Sequence, residues 1–438
     1  MLYMKRFATA VLVSVAVYTL VLQGQQKPDR TPMNALAERY VKTVLAMGQH
    51  DADYVDAYYG PPEWKTAVET AKISLDAVAS QARAIRADLE KLPTSSRRGD
   101  MDALRWHYLH RQLLALEARV RMLRGERLSF DEESQALYDA VAPSYPTSHF
   151  QAIIDKLDKR FPGEGSLAVR YDAWRKPFTI PREKLDAVFQ KAITGCRDRT
   201  RKHISLPASE SFTLEYVTNK PWSGYNWYQG NFKSLIQVNT DLPIFIDRAI
   251  DLACHEGYPG HHVYNALLEK HLVRDRGWIE FTVYPLFSPQ SLIAEGTANF
   301  GIEVAFPGKD RVAYEKTVLF PAAGIDPARA DEYYEVQGLV EQLSYAGNEA
   351  ARGYLDGKMS AVEAANYLET YGLYSPERAK QRVRFIDKYR SYVINYNLGK
   401  DMVRAYIESR GGSVENTAQR WSEFEKLMAS PRLPSGLK

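Results

Sequence analysis

The sequence is poor in cysteine and has no large excess of charge of either sign. Its 438 residues include only Cys196 and Cys254, which excludes a disulfide-dense scaffold, a Cys₄ zinc finger and a cysteine-ligated iron–sulfur cluster. Lysine and arginine total 57 against 54 for aspartate and glutamate, giving a net charge of +3. So small a charge provides no strong field for nucleic acid, which is not expected as a partner. Because Cys254 stands beside His255, both cysteines are predicted to be free thiols.

Charge is also missing from residues 7–22, which follow Lys5 and Arg6. A basic start, an apolar run and a polar exit are typical of a secretory signal peptide. The run is somewhat longer than most signal cores and short for a membrane span. We therefore predict that residues 1–24 are a cleaved signal peptide or a retained N-terminal anchor. The protein is then exported, periplasmic or secreted, and meets the membrane only through this segment.

Beyond the leader, the sequence pattern is helical almost throughout. Apolar residues recur every three or four positions, as they do in amphipathic helices. Helices are predicted over residues 34–48, 73–92, 101–123, 131–141, 148–160, 181–203, 263–273, 331–355, 360–371 and 375–407. A further helix is predicted to begin at Asp241, with Asp241 as its N-cap and Pro243 in its first turn.

Strand patterns are confined to one part of the chain. Residues 211–217 alternate with a period of two, and residues 234–239 are short and rich in β-forming types. The turn-rich, aromatic stretch 221–230 lies between them. The composition, 45% hydrophobic and 25% charged, is that of an ordinary globular protein. We predict that residues 25–438 form a single, mainly α domain with a small β hairpin or sheet.

Histidine is scarce but clustered, since four of the nine histidines lie within seventeen residues that begin at His255. A zinc hydrolase needs three protein ligands, an open position for water and a general base. In the usual His-Glu-x-x-His arrangement the second histidine is four residues after the first, but here that residue is Pro259. Pro259 and Gly260 interrupt the helix, so either His261 or His262 could turn back toward His255.

A carboxylate from a second helix would complete such a site, and Glu295 is the candidate. It opens a segment that contains the small residues Gly296 and Gly301, which let a second helix approach the first closely. Glu295, Asn299 and Glu303 are spaced by four residues and share one polar helix face. The pattern therefore predicts that this face points toward the histidine cluster.

Residues 255–262, His-Glu-Gly-Tyr-Pro-Gly-His-His, resemble the signature of a bacterial family catalogued as the domain of unknown function DUF885. Members of that family resemble, in fold, the zinc carboxypeptidases of the M32 type. Residues 53–62, 294–298 and 396–399 also resemble segments of the family. The resemblance implies a mainly α, zincin-like metallopeptidase domain, with the small β hairpin or sheet beside the metal-binding helix.

The resemblance also implies roles for individual residues. One Zn²⁺ would be held by His255, His261 and Glu295, with His262 as the alternative second ligand. Glu256 would be the base that activates the attacking water. The function implied is that of an exported zinc-dependent peptidase, carboxypeptidase-like, with a peptide as its substrate.

A tyrosine stripe near the C terminus supplies further candidates. Tyr389, Tyr392 and Tyr396 have the spacing of one helix face, and Arg390 lies beside them. Tyr396 is predicted to donate a hydrogen bond to the developing oxyanion, and Arg390 to bind a peptide carboxylate. The alternative is that the stripe is aromatic core.

The aromatic stretch before residues 234–239 is a candidate for binding the substrate. In helical zinc peptidases an edge strand near the metal helix holds the substrate backbone by strand addition. Tyr228 and Asn239 are therefore predicted to contact the substrate, with simple packing as the alternative.

Two other functions fit the same residues. One is a zinc hydrolase that acts on a non-peptide amide, and the other is a catalytically inactive metal-binding envelope or scaffold protein. Glu256 favours an enzyme, because a purely structural zinc site has no use for a base.

Overall fold

The computed structural model of the protein describes residues 31–93 and 99–437, and the predicted leader, residues 1–24, lies outside the described residues. The described chain is mainly helical, with two small sheets. The helices are α1 (Pro32–Met47), α2 (Pro62–Ala71), α3 (Leu75–Glu90), α4 (Met101–Leu123), α5 (Phe130–Tyr138), α6 (Thr147–Arg160), α7 (Leu167–Arg175), α8 (Leu185–Arg201), α9 (Asp247–Leu252), α10 (His261–Leu268), α11 (Pro289–Ala305), α12 (Asp310–Tyr314), α13 (Phe320–Ala323), α14 (Ala330–Glu341), α15 (Ala346–Leu355), α16 (Ala361–Tyr371), α17 (Pro376–Tyr389), α18 (Ile394–Glu408) and α19 (Thr417–Met428). Among the described residues, none of the helices combines the length and the apolar character needed to cross a membrane.

Side-chain caps fix several helix starts close to their predicted places. Ser74 accepts a hydrogen bond from the backbone of Ala77 at the start of α3. Ser129 forms a capping box with Glu132 at the start of α5. Such polar residues just before an apolar stripe are visible in the sequence. The boundaries that depend on them are therefore predicted to within a few residues.

Two helices predicted as continuous are broken in the structure. The segment 331–355 divides into α14 and α15, and 375–407 divides into α17, a short 3₁₀ turn and α18. At the second break Arg390 has a φ of 52°, and Arg390 Nε is 2.6 Å from the Glu133 carboxylate of α5. The same carboxylate accepts hydrogen bonds from the backbone and hydroxyl of Ser391. A buried partner 257 residues away therefore makes the break, and hydrophobic spacing cannot reveal it.

The helix predicted to begin at Asp241 begins instead with α9 at Asp247. The Asp241 carboxylate accepts hydrogen bonds from the backbone of Asn219 and Lys220 and so caps a loop rather than a helix. The sequence does not distinguish these two roles, because an aspartate side chain can accept hydrogen bonds from the backbone of a helix start or of a loop.

The strands are β1 (Val55–Tyr58), β2 (Ser211–Val217), β3 (Gly224–Gly230), β4 (Lys233–Asn239) and β5 (Val283–Pro285). One sheet has the order β2-β4-β3, with β4 parallel to β2 and antiparallel to β3. The two predicted strands are therefore present, and the aromatic stretch between them supplies a third, β3, at one edge. Strands β1 and β5 form an antiparallel pair, which brings an N-terminal segment next to the start of α11.

Helix α11 lies between the histidine segment and α18, and glycines allow both contacts. A Cβ on Gly296 would lie 2.5 Å from the carbonyl oxygen of Gly399 on α18. A Cβ on Gly301 would lie 3.0 Å from Cγ of Pro259. No larger residue fits at the first position without moving a backbone. These close approaches fix the height and rotation of Glu295.

Cys196 of α8 and Cys254 are joined by a disulfide, with 5.6 Å between their Cα atoms. The prediction of free thiols is wrong. Adjacent helical residues point about 100° apart, so Cys254 can face α8 while His255 faces the opposite helix. Both cysteines are fully buried. Disulfides persist in oxidising compartments, which indicates an extracytoplasmic location.

Removing this disulfide is expected to lower the free energy of unfolding. The bond joins residues 58 apart, and closing a loop of that size restricts the unfolded chain by about 4 kcal/mol. Cys196→Ala/Cys254→Ala should therefore lose stability of that order in urea denaturation. Adding a reductant should lower the melting temperature of the parent but not that of the double variant. Equal stability of parent and variant would contradict the prediction.

Candidate metal centre

The histidine segment is built from two helix ends that meet at a tight turn. Helix α9 continues into a single wide π-type turn, Ala253–Gly257, which carries His255. The chain then reverses, and His261 is the first residue of α10. Gly260 makes the reversal possible, since a Cβ there would lie 1.8 Å from the carbonyl oxygen of His255. The Pro-Gly interruption thus returns His261 to His255.

His255, His261 and Glu295 form a group that could hold a metal ion. The two Nε2 atoms are 3.1 Å apart, and Glu295 Oε2 is 3.2 Å from His255 Nε2 and 3.7 Å from His261 Nε2. Zinc with bonds of 2.0–2.1 Å in tetrahedral geometry needs ligand atoms about 3.3 Å apart. The three atoms therefore fit one face of a zinc coordination tetrahedron.

The hydrogen bonds around Glu295 and His255 leave one oxygen and one nitrogen atom available to bind a metal ion. Tyr392 donates to Glu295 Oε1 at 2.7 Å, whereas Glu295 Oε2 is buried and has no well-aligned hydrogen bond among the described residues. His255 Nδ1 is 3.1 Å from Asn299 Oδ1, which can accept its hydrogen and leave Nε2 free. Partners of this kind orient metal ligands in known sites. A cation would satisfy this buried carboxylate oxygen, which faces two imidazole nitrogens without a well-aligned hydrogen bond.

The electrostatics of Glu295 also suit a ligand. Burial opposes ionisation of this carboxyl, but His261 and His255 together hold its pKa well below the usual range. Glu295 is therefore an anion at neutral pH, as a metal ligand must be.

Glu256 is only 4% exposed and lies beside the group rather than in it. Strand β3 passes close to its carboxylate, since a Cβ on Gly224 would lie 2.8 Å from Glu256 Oε1. Asn226 of β3 donates to the backbone carbonyl of Glu256 at 2.7 Å. Burial raises the pKa of Glu256 to about 7, with His261 opposing the rise and Glu295 adding to it. A carboxyl near neutral pKa is suited to general acid–base catalysis.

The group opens into a cleft of about 850 Å³. Its walls include the start of β3, one face of α17 and the first turn of α18. Tyr396 lines the cleft, with its ring 5.8 Å from that of Tyr392. Burial raises the pKa of Tyr396, and the nearby Glu295 raises it further, so its hydroxyl stays protonated and can donate.

Three predicted substrate residues do not line the cleft. Arg390 pairs with a carboxylate of α5, and Tyr228 donates to Glu269 at 2.6 Å. The Asn239 amide donates to carbonyl oxygens of the loop 220–222, whose last two residues line the cleft. Asn239 therefore positions the loop that lines the cleft without lining the cleft itself. Arg390 and Tyr228 instead form contacts between elements of the fold.

His262 lies apart from the group. It is fully buried, with Nδ1 2.9 Å from the Ser234 hydroxyl and Nε2 2.8 Å from Glu210. Glu210 also accepts from Tyr258 at 2.6 Å and is paired with Arg201. Both nitrogens of His262 are thus engaged in a buried network on the far side of α10.

Asp56 of β1 is a cleft residue that sequence reasoning missed. The Tyr225 hydroxyl donates to its carboxylate. Burial raises the pKa of Asp56 to about 7, against the influence of His261. No spacing rule connects position 56 with position 255, because the β1–β5 pairing brings them together.

Asn299→Ala is expected to weaken zinc binding about 10- to 100-fold, because His255 would lose the partner that orients its ring. Asn299→Asp is the matched control, since a carboxylate can accept the same hydrogen bond, and it should keep near-normal affinity. Competition with a fluorescent chelator measures both. Equal affinity of Asn299→Ala and the parent would show that the bond does not orient His255.

No protein-family model matches the chain, and no curated protein matches it in sequence. The fold is similar to that of a "putative lipoprotein" from Colwellia psychrerythraea, at 13% identity and a TM-score of 0.50, covering 83% of this chain and 68% of that one. A "putative lipoprotein of unknown function" from Shewanella oneidensis gives 12% identity, 83% and 76% coverage and a TM-score of 0.42. A protein called CHT gives 12% identity, 90% coverage of both chains and a TM-score of 0.41. At such low identity, the likeness to the Colwellia protein shows a shared fold and nothing about function.

Proposed function

We propose that the protein is an exported zinc-dependent peptidase. The observation that carries the proposal is the convergence of His255, His261 and Glu295 on one point, with the Glu256 carboxyl beside it and a cleft in front. Structural zinc sites use four protein ligands, whereas catalytic ones use three and keep a position open. The resemblance of residues 255–262 to the DUF885 signature supports the same function.

The chemistry proposed divides between the ion and the chain. A bound zinc ion would polarise the scissile carbonyl and make water more acidic. Glu256 takes a proton from the attacking water and later delivers it to the leaving amine. Tyr396, protonated and on the same cleft, donates to the oxygen that gains negative charge.

Strand β3 is proposed to hold the substrate backbone. It is an edge strand of the sheet β2-β4-β3, and its first residues, Gly224, Tyr225 and Asn226, line the cleft. An extended peptide can add to such an edge through main-chain hydrogen bonds. Because Gly224 has no side chain, the start of β3 lies close to Glu256, and a peptide added to this strand would lie near that carboxyl.

Export is proposed from two independent features. Residues 1–24 have the composition of a signal segment, and the Cys196–Cys254 disulfide needs an oxidising compartment to persist. A periplasmic or secreted location follows from both.

Metal analysis and peptide cleavage of the purified protein test the proposal. We expect about one zinc ion per chain, and cleavage of a peptide library that stops when a chelator removes the metal. Mass spectrometry of the products shows whether single residues or internal fragments are released. Zinc without cleavage of any peptide would indicate a non-peptide substrate or an inactive metal protein. Absence of metal from protein purified without chelator would overturn the proposal.

A further inference from the structure

One wall of the cleft carries two arginines on the same face of α17. Arg378 and Arg382 are four residues apart, so they lie one above the other. Phe385 and Tyr389 continue the same face, and all four residues line the cleft. The sequence candidate from this region, Arg390, lies beyond the end of the helix and outside the cleft.

Other cations of the cleft have carboxylate partners. Arg248 is 2.9 Å from Asp251, and Arg311 is 2.8 Å from the same residue. Lys400 lies 3.2 Å from Glu303. Each of these cations therefore already has a carboxylate partner within the protein.

Arg378 and Arg382 have no such partner. Within residues 31–93 and 99–437, no carboxylate oxygen lies within 4.0 Å of either guanidinium group. Arg382 Nε is buried without an acceptor. Burial lowers the pKa of Arg378, and the positive charges of Arg175 and Arg248 lower it further, whereas Tyr374 and Asp247 act in the opposite direction. Both arginines are half-buried, and a half-buried guanidinium group that has no carboxylate partner is stabilised when an anion binds it.

Of the two arginines, Arg382 is the one whose contacts lead to the candidate metal centre. The Arg382 guanidinium carbon is 5.7 Å from the centre of the Tyr396 ring and 4.7 Å from that of Phe385. Tyr396 in turn packs on Tyr392, which donates to Glu295. An anionic group held by the arginines would therefore lie in the same cleft as the candidate metal centre.

We propose that Arg378 and Arg382 bind a carboxylate of the substrate and make the enzyme selective for peptides that present one near the scissile bond. The planar fork of arginine matches a carboxylate with two parallel hydrogen bonds. The carboxylate is either the peptide C terminus or an acidic side chain. This inference deepens the proposed peptidase function and rests on it for the identity of the ligand as a peptide.

Calorimetric titration of the zinc-loaded Glu256→Gln protein tests the inference without turnover. The probes are acetyl-Ala-Ala-Phe as a free acid, the same peptide as a C-terminal amide, and acetyl-Ala-Ala-Glu amide. The acid should bind about 10- to 100-fold more tightly than the Phe amide, as expected for charge-assisted hydrogen bonds. Arg378→Gln/Arg382→Gln should abolish that preference. Arg384→Gln, an exposed arginine on the same helix, should keep it.

The third peptide identifies the source of the carboxylate. If the Glu amide binds as tightly as the free acid, the site takes an acidic side chain. If it binds like the Phe amide, the site takes the C terminus. Equal binding of acid and Phe amide to the parent, or a preference that survives the double substitution, would overturn the inference.

Two controls separate this inference from the fold and from the proposed function. The melting temperatures of all variants show whether the double variant is folded. Arg382→Lys keeps the positive charge but loses the planar fork of arginine, so it should keep only part of the preference for the free acid. Because zinc itself attracts carboxylates, the titration is repeated on chelator-treated protein. A preference for the free acid that comes from the arginines must persist when the zinc has been removed. If the peptidase proposal fails, the unsubstituted protein cleaves no peptide, whereas the titration of the Glu256→Gln protein still shows whether the arginines bind a carboxylate.

Discussion

Glu256→Gln is expected to abolish peptide hydrolysis while leaving zinc content near normal. The amide has almost the same shape as the carboxylate but cannot take a proton from water, and removal of a general base typically costs about 10²–10⁴-fold in rate. Glu256 is outside the group of three candidate ligands, so its replacement should leave metal binding intact. Steady-state kinetics on a cleaved library peptide and metal analysis of the same sample measure both expectations.

A second carboxyl on the cleft gives the matched control. Asp56 is half-buried on the same cleft, and its pKa is likewise raised to about 7 by burial, against the influence of His261. Unlike Glu256, however, Asp56 is not adjacent in sequence to a candidate metal ligand, and its carboxylate accepts a hydrogen bond from Tyr225. Asp56→Asn should therefore keep most of the turnover that Glu256→Gln loses. Wild-type turnover in Glu256→Gln would refute the mechanism, and loss in Asp56→Asn alone would transfer the role of base to Asp56.

The sequence was most informative where chemistry and local backbone geometry coincide. The Pro259–Gly260 interruption predicted that a following histidine returns to His255, and His261 does lie 3.1 Å from it. Small residues around Glu295 predicted a closely packed second helix, and α11 packs in this way on both sides. Both inferences use residues within about a turn of the feature predicted, where steric rules apply directly.

The sequence was least informative where distant segments meet. The break at Arg390 depends on Glu133, and Asp56 reaches the cleft through the β1–β5 pairing. The disulfide depends on the packing of α8 against the turn that carries Cys254. Local patterns specify elements and their faces, whereas these contacts depend on how the elements are arranged in space.

The choice between His261 and His262 shows how the two kinds of information combine. Spacing alone allowed either histidine to pair with His255. In the structure the two adjacent side chains point in different directions from the start of α10, one into the cleft and one into the Glu210 network. Their replacement should therefore have opposite consequences for metal binding and for folding.

His261→Ala is expected to lose most of the bound zinc, because only His255 and Glu295 would remain as protein ligands. His262→Ala should keep the metal and instead lower the free energy of unfolding by about 1–3 kcal/mol. That is the usual cost of leaving a buried hydrogen-bonding group without one partner, here Glu210, which retains Tyr258 and Arg201. The zinc-to-protein ratio and urea denaturation, measured on both variants, form a reciprocal test in which each protein is the control for the other. Full zinc in His261→Ala together with its loss in His262→Ala would reverse the assignment of the second ligand.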